Sequence, residues 1–259
     1  MKNLSIQKVP ASHGLLWIKH GYRLIMRSPL QATSLALTCV LALYLIKLIP
    51  VMGPLLFIAS VPLVLVGYMR VCRSLEYNEK VEPQAIIAGF QSRTRQLISL
   101  GGMLLLGIIT ISIIIATLGG AALNAILADY QTHLNSNLLF EALLAPDSGV
   151  HTSLMVGLVL LFGLVLAMQF APMLVFFDQK TPVEALKISF QALMRNILPY
   201  SVYALIFQLL AFALSAIPWG LGLILLLPIA LTSVYVSYRD ILTDPDASTP
   251  VAANEENIA

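Results

Sequence analysis

The sequence predicts an all-α integral membrane protein with six transmembrane helices. They form three parallel two-helix repeats, each preceded by a cytoplasmic amphipathic helix. Three observations lead to this prediction. Of the 259 residues, 58% are hydrophobic and only 11% are charged, whereas soluble domains carry roughly 25% charged residues. Six apolar runs approach or exceed the roughly 20 residues that cross a hydrocarbon core. A short motif also occurs three times, each time just before an apolar run.

The six predicted spans are long, predominantly apolar runs: Leu30–Ile49, Val51–Met69, Leu97–Ala122, Ser153–Phe177, Ile197–Ile217 and Trp219–Tyr238. The first run is of full spanning length and lacks a small-residue cleavage site, so we expect no cleavable signal peptide. The two cysteines, Cys39 and Cys72, lie at different predicted depths, and we expect neither a disulfide nor a metal cluster from them.

The basic residues are distributed asymmetrically between the two predicted sides of the membrane. The loops on one side, around Pro50, 123–152 and Pro218, contain no Lys or Arg, and Lys47 is close enough to that side to snorkel to it. The other fourteen basic residues lie on the opposite side. Because cytoplasmic loops carry the excess of Lys and Arg, both termini are predicted to be cytoplasmic.

Three octets introduce the repeats: GYRLIMRS from Gly21, GFQSRTRQ from Gly89 and SFQALMRN from Ser189. They superpose without a gap, so that Arg27, Arg95 and Arg195 coincide. From the arginine of each octet to the predicted outer turn there are 23 residues, or about 34 Å of helix, which is one crossing. Each unit begins and ends on the same side, which predicts parallel repeats about an axis along the membrane normal.

The domain organisation follows from these repeats. Residues 1–12 are expected to be a flexible N-terminus, and 13–242 a single membrane domain. Within it the repeats cover about 13–73, 82–178 and 181–240, and the second carries an outer-loop insertion at 123–152. The segment 243–259, which contains four acids and no base, is predicted to be a disordered tail.

The helices before the first and third hairpins are predicted to lie in the membrane interface, because each carries an apolar stripe on one face and a polar stripe on another. Under three-fold pseudo-symmetry the octet arginines would lie at one depth. This predicts a site for anionic headgroups or an anionic solute, since arginine binds phosphate through two parallel hydrogen bonds. Interfacial anchoring explains the same charges without a ligand. The candidate contacts are Arg27, Arg95, Arg195, Lys19 and Lys187.

A second set of candidates lies within the spans. Pro62, Pro172 and Pro228 each remove a helical hydrogen bond from the second helix of a pair, so they could line a cavity or act as hinges. Proline also bends membrane helices simply for packing. Gln169 and Gln208 are the most polar intramembrane residues that could line such a cavity; hydrogen bonding between helices is the alternative role.

The remaining residues do not indicate a particular reaction. Within the spans there is no Asp, Glu, Arg or His at mid-depth, which argues against an ion-coupled pump. The four histidines lack the spacing of a metal site. No catalytic motif is recognisable, and the basic residues follow a membrane face rather than a nucleic-acid footprint. We therefore expect no catalytic residue, cofactor, metal or nucleic-acid partner.

The stretch TPVEALKISFQALMRNILPYSVYALIFQLLAFAL resembles the amphipathic-helix-plus-span unit of several six-helix bacterial inner-membrane families, and VPASHGLLWIKHGYRLIMRSP resembles the start of one of them, a proteobacterial family of unknown function. The group includes YciC-like proteins and the membrane domain attached to some glycerophosphodiester phosphodiesterases. The resemblance covers most of residues 9–242 and implies a bacterial inner-membrane location. We expect no phosphodiesterase activity from it, because this sequence predicts no soluble domain to hold that chemistry.

Three functions are compatible with these features. The first is a non-enzymatic membrane protein that organises partners or lipids in the envelope, with membrane lipids, including anionic ones, among its partners. The second is a carrier or channel for a small or amphipathic solute; mitochondrial carriers also have three two-helix repeats, but their Pro-x-acid-x-x-base motif is absent here. The third is an intramembrane enzyme. The sequence favours the first.

Overall fold

The computed structural model describes residues 4–133, 149–217 and 221–243. The middle of the predicted outer loop, 134–148, and the acidic tail from 244 onward lie outside the described residues, as do 1–3 and the turn at 218–220. The contacts divide the chain into two compact units. One is formed by the parts up to Gly101 and from Ala167 onward, and the other by Gly102–Leu166.

The described chain is almost entirely helical. Its elements in order are β1 (Ser5–Ile6), α1 (His13–Met26), α2 (Pro29–Lys47), α3 (Gly53–Glu76), a 3-10 helix (Pro83–Ile87), α4 (Ala88–Gln91), α5 (Thr94–His133), α6 (Val150–Phe176), α7 (Pro182–Arg195), α8 (Ile197–Ser215), α9 (Leu221–Ile241) and β2 (Leu242–Thr243).

Five of these helices are long and apolar enough to cross a membrane: α2, α3, the part of α5 up to Gly120, α6 and α8. Gly120 has a φ of 55° and interrupts α5 there. Only 11% of the most apolar stretches of α5 and α8 is buried within the protein. So much exposed apolar surface requires an apolar solvent. Helix α9 occupies the position of the predicted sixth span, and the count of six stays a prediction.

Local sequence explains where several helices begin. Pro29 is the first residue of α2, and Pro182 is the first of α7, a position where the missing N–H of proline costs nothing. A capping box precedes α7: the Glu184 backbone N–H donates to Thr181 Oγ1 at 3.4 Å, and the Thr181 N–H donates to Glu184 Oε2 at 3.2 Å. The second hairpin lacks a comparable surface helix, because the 3-10 helix and α4 together replace it with two short pieces.

The first and third hairpins have matching helix lengths. Helices α1 and α7 each contain 14 residues, and α2 and α8 each contain 19. The register that superposes the first octet on the third also places Pro29–Lys47 on Ile197–Ser215, residue for residue. The sequence similarity between the octets therefore continues as a similarity of helix boundaries.

The small residue that opens each octet lies against the second helix of another hairpin. Gly21 contacts Ser233 of α9, and Gly89 contacts Leu63 of α3. At the third octet, the Phe170 N–H of α6 donates to Ser189 Oγ at 3.0 Å. Each surface segment therefore packs on the hairpin that precedes it, and α1 packs on the last one.

The expected flexible N-terminus is held along residues 5–9. Strands β1 and β2 pair antiparallel, so that Ser5 faces Thr243 and Ile6 faces Leu242. Asn196, which is fully buried, donates to the Gln7 carbonyl at 2.8 Å and accepts from the Val9 N–H at 2.9 Å. These contacts place the start of the chain beside the end of α9.

The unit formed by Gly102–Leu166 is a close pair of apolar helices. Gly107 of α5 lies against Leu164 of α6, and Gly157 of α6 lies against Ile115 of α5. Small residues at such contacts let helix backbones approach closely, which is how membrane helices gain packing contacts in the absence of a hydrophobic driving force.

Candidate functional site

Polar residues form a connected cluster around the last turns of α9. The cluster lies at the predicted cytoplasmic end of the helices, which carries most of the Lys and Arg residues and which we call the basic end. Tyr235, Tyr238, Arg239 and Asp240 lie close together in the sequence there. Tyr235, Tyr238 and Arg239 are spaced by three and four residues and share one face of the helix, whereas Asp240, five residues after Tyr235, lies on another. We call this group, with its partners, the α9 cluster.

Two carboxylates from other hairpins bind α9 side chains in the cluster. The Tyr235 hydroxyl donates to Glu76 Oε2, at the end of α3, at 2.5 Å. The same Glu76 oxygen lies 3.5 Å from Arg239 Nε. The Tyr238 hydroxyl donates to Asp178 Oδ2, just after α6. Tyr235 and Tyr238 are buried, so their hydroxyls depend on these carboxylates for hydrogen bonds.

A third carboxylate joins α9 to α1. Asp240 Oδ2 lies 2.7 Å from His13 Nδ1 and accepts a hydrogen bond from Trp17 Nε1 at 2.7 Å. Trp17 is 1% exposed and packs edge-on against Tyr203 of α8. Buried indole N–H groups need such an acceptor. Through its three carboxylate contacts α9 is thus tied to α3, to the end of α6 and to α1.

This arrangement holds the ends of several helices together. Each carboxylate already accepts hydrogen bonds from its neighbours. Within the described residues, no group of three or more His, Cys, Asp or Glu side chains is placed to hold a metal ion. Nearby, the Arg73 guanidinium lies 5.2 Å from the Phe177 ring centroid and 5.8 Å from that of Tyr77, within the range of cation–π attraction.

The residues of the predicted arginine site have different environments. Arg27 Nη1 donates to the carbonyl oxygens of Leu75 and Glu76, both at 2.8 Å. It therefore caps the C-terminus of α3, where a cation also interacts favourably with the helix dipole. The side chains of Arg95, Arg195, Lys19 and Lys187 are exposed.

The predicted cavity residues have different environments. Gln208 is exposed on α8, next to Leu209 (60% exposed) and near Phe212 (77% exposed), so it is on an outward face. Gln169 of α6 is half-buried, and no hydrogen bond joins the two glutamines. Pro62, Pro172 and Pro228 are buried inside α3, α6 and α9.

The α9 cluster was not predicted from the sequence. Some of its signals were present: Asp178 and Asp240 lie just beyond predicted spans, and Tyr235 and Tyr238 lie three residues apart at the end of the last one. Glu76 lies seven residues beyond the second predicted span. An acid at the end of a span is ordinary by itself, and its partners come from elements that are distant in the chain.

Comparison with known proteins places the chain among membrane proteins and no more narrowly. It is 28% identical over 271 aligned residues to a probable inner membrane protein of Burkholderia thailandensis, covering 97% of this chain and 98% of that one. No model of a protein family matches, so the grouping with YciC-like proteins and phosphodiesterase membrane domains stays a prediction. No solved structure matches either. The apolar helices and this full-length similarity together support a multi-pass protein of a bacterial inner membrane.

Proposed function

We propose that this chain is a non-enzymatic, lipid-interacting protein of the bacterial inner membrane, built from three repeats, which organises lipids or partner proteins in the envelope. Both termini lie in the cytoplasm, so α1, α7 and the α9 cluster are at the cytoplasmic face. The asymmetry of Lys and Arg supports this orientation.

The single observation that carries the proposal is a matched apolar face on the two surface helices. In α1 the side chains of Leu15, Tyr22 and Met26 are 53%, 50% and 47% exposed. Residues spaced by seven and four share one side of a helix. Each surface helix therefore presents large apolar side chains outward, as an interfacial helix does to lipid. The corresponding positions of α7, at 49%, 40% and 47% exposure, are Val183, Phe190 and Met194.

Exposed basic residues lie on the same two helices: Lys19 on α1, and Lys187 and Arg195 on α7. Arg95 is exposed in the first turn of α5. Near an anionic leaflet each such charge contributes about 1 kcal/mol. The apolar faces and these charges together favour binding to anionic lipid at the headgroup level.

The test compares lipid retention in charge variants. The protein is reconstituted in nanodiscs that contain phosphatidylglycerol, and the lipids it retains are measured by native mass spectrometry. We expect wild type to retain phosphatidylglycerol. A Lys19→Gln/Arg95→Gln/Lys187→Gln/Arg195→Gln variant should retain at least about tenfold less, since four charges at about 1 kcal/mol each exceed the roughly 1.4 kcal/mol of a tenfold change. Arg27 is left unchanged because it caps α3.

The matched control is Lys47→Gln, which removes an exposed charge at the opposite end of α2. It should retain lipid like wild type. Equal retention by the fourfold variant and wild type would contradict the proposed role of these charges.

A further inference from the structure

A cavity of about 490 Å³ lies at the basic end of the molecule, separate from the α9 cluster and from the predicted arginine site. It is formed by the last turns of α3, the segment that follows α3, and Phe176 at the end of α6. Its volume falls in the range of small-molecule sites. All of its lining belongs to one compact unit of the chain.

Close backbone contacts position the wall of this cavity. A Cβ on Gly67 of α3 would lie 2.0 Å from the Ile86 carbonyl oxygen, and one on Gly89 would lie 2.4 Å from that of Leu63. Only glycine permits such an approach. Asn78, with a φ of 53°, turns the chain back after α3, and the Glu79 N–H donates to the Ser74 carbonyl at 2.8 Å. The segment is therefore fixed against α3 at both ends.

Charged side chains of both signs line the cavity. Arg70 and Lys80 supply two cations, and Glu79 and Glu82 supply two carboxylates. All four side chains are exposed. Within the described part of the chain, none of these four side chains takes part in a hydrogen bond or an ion pair. The two pairs thus face one space without neutralising each other directly.

This balance of charge selects against a purely anionic ligand. Arg70 and Lys80 attract a phosphate, but the two carboxylates repel an anion that carries no positive group. A ligand with a phosphate beside an ammonium group satisfies both pairs at once. Phe176 adds an apolar surface suited to the glycerol end or the start of an acyl chain.

We propose that this cavity binds a zwitterionic headgroup of the phosphoethanolamine type. Its phosphate lies at Arg70 and Lys80, and its ammonium lies at Glu79 and Glu82. The inference rests on the proposed lipid-interacting function and adds a headgroup class and a site to it.

The test uses nanodiscs that contain phosphatidylethanolamine and phosphatidylglycerol in equal amounts, again with native mass spectrometry of the retained lipid. We expect wild type to retain phosphatidylethanolamine. Arg70→Gln/Lys80→Gln should retain about tenfold less of it, the effect of losing a charged hydrogen bond. Glu79→Gln/Glu82→Gln should change the preference toward phosphatidylglycerol. All four positions are exposed, so both variants should fold, and Lys47→Gln is the control.

The outcomes separate this inference from the proposed function. Retained lipid that depends on Lys19, Arg95, Lys187 and Arg195, but is unchanged in both cavity variants, would overturn the headgroup site alone. A wild type that retains no lipid would overturn both.

Binding of soluble glycerophosphoethanolamine tests whether the headgroup comes from a lipid or from a soluble solute. If it binds wild type and the lipid does not, the cavity serves a soluble solute and the lipid assignment is wrong.

Discussion

Replacing Gly89 or Gly21 with alanine is expected to lower the stability of the folded protein by about 3 kcal/mol or more, the upper end of the usual cost of overpacking. A Cβ on Gly89 would lie 2.4 Å from the Leu63 carbonyl oxygen, and a Cβ on Gly21 would lie 2.6 Å from Ser233 Oγ and 2.9 Å from the Ser233 nitrogen. Because backbone atoms are among those contacted, a change of side-chain rotamer cannot relieve the overlap. The surface segment has to move away from the hairpin on which it packs.

The measurement is the thermal unfolding midpoint of the detergent-solubilised protein. A loss of this size should lower the midpoint by at least about 6 °C, at roughly 2–4 °C per kcal/mol for chains of this length. Gly102→Ala is the matched control, since a Cβ there has no atom within 4 Å and alanine favours a helix. If Gly89→Ala behaved like Gly102→Ala, the octet would not mark a packing contact.

Replacing Glu76 with leucine is expected to cost about 2–4 kcal/mol. The change removes the acceptor of the buried Tyr235 hydroxyl and the partner of Arg239. An unpaired buried hydroxyl costs about 1–3 kcal/mol. The Arg239 side chain is 35% exposed, so the loss of its ion pair adds less than a fully buried pair would. Glu76→Gln keeps an acceptor for Tyr235 and should cost only about 1 kcal/mol.

The same thermal unfolding assay separates these contributions. Glu76→Leu combined with Tyr235→Phe should regain part of the loss, because the unpaired hydroxyl is then absent. Glu79→Leu, three residues further on and exposed, is the control and should change stability by less than about 0.5 kcal/mol. Equal stability of Glu76→Leu and Glu79→Leu would show that the α9 cluster does not stabilise the contacts between the helix ends.

Hydropathy located the spanning helices well and their ends less well. The predicted run Ile197–Ile217 matches α8 to within two residues, because the helix and the apolar run end at nearly the same place. The run Val51–Met69 stops seven residues before α3 ends at Glu76. Those last two turns are stabilised by the Arg27 cap and by packing of Val71, Cys72 and Leu75, which are tertiary effects that hydropathy does not record.

The repeated octets also mark contacts between hairpins that the sequence pattern did not reveal. The small residue at the start of each octet is in close contact with another hairpin, and the arginine site stays a prediction. A glycine before an aromatic residue is common, and only the path of the backbone tells which glycine is pressed against a neighbour. The cavity beside Arg70 could not be predicted for the same reason, since the two close contacts at Gly67 and Gly89 create its wall.

The proposed function depends most on one claim, that the surface helices, the α9 cluster and the cavity all lie at the cytoplasmic end of a multi-pass bundle. Labelling with a membrane-impermeant maleimide in intact spheroplasts tests it most directly. Lys80→Cys and Lys47→Cys each place an exposed thiol at a different predicted end, while the native Cys39 and Cys72 are buried. We expect Lys47→Cys to be labelled, and Lys80→Cys to be labelled only after the membrane is permeabilised. Labelling of Lys80→Cys in intact spheroplasts would contradict the claim.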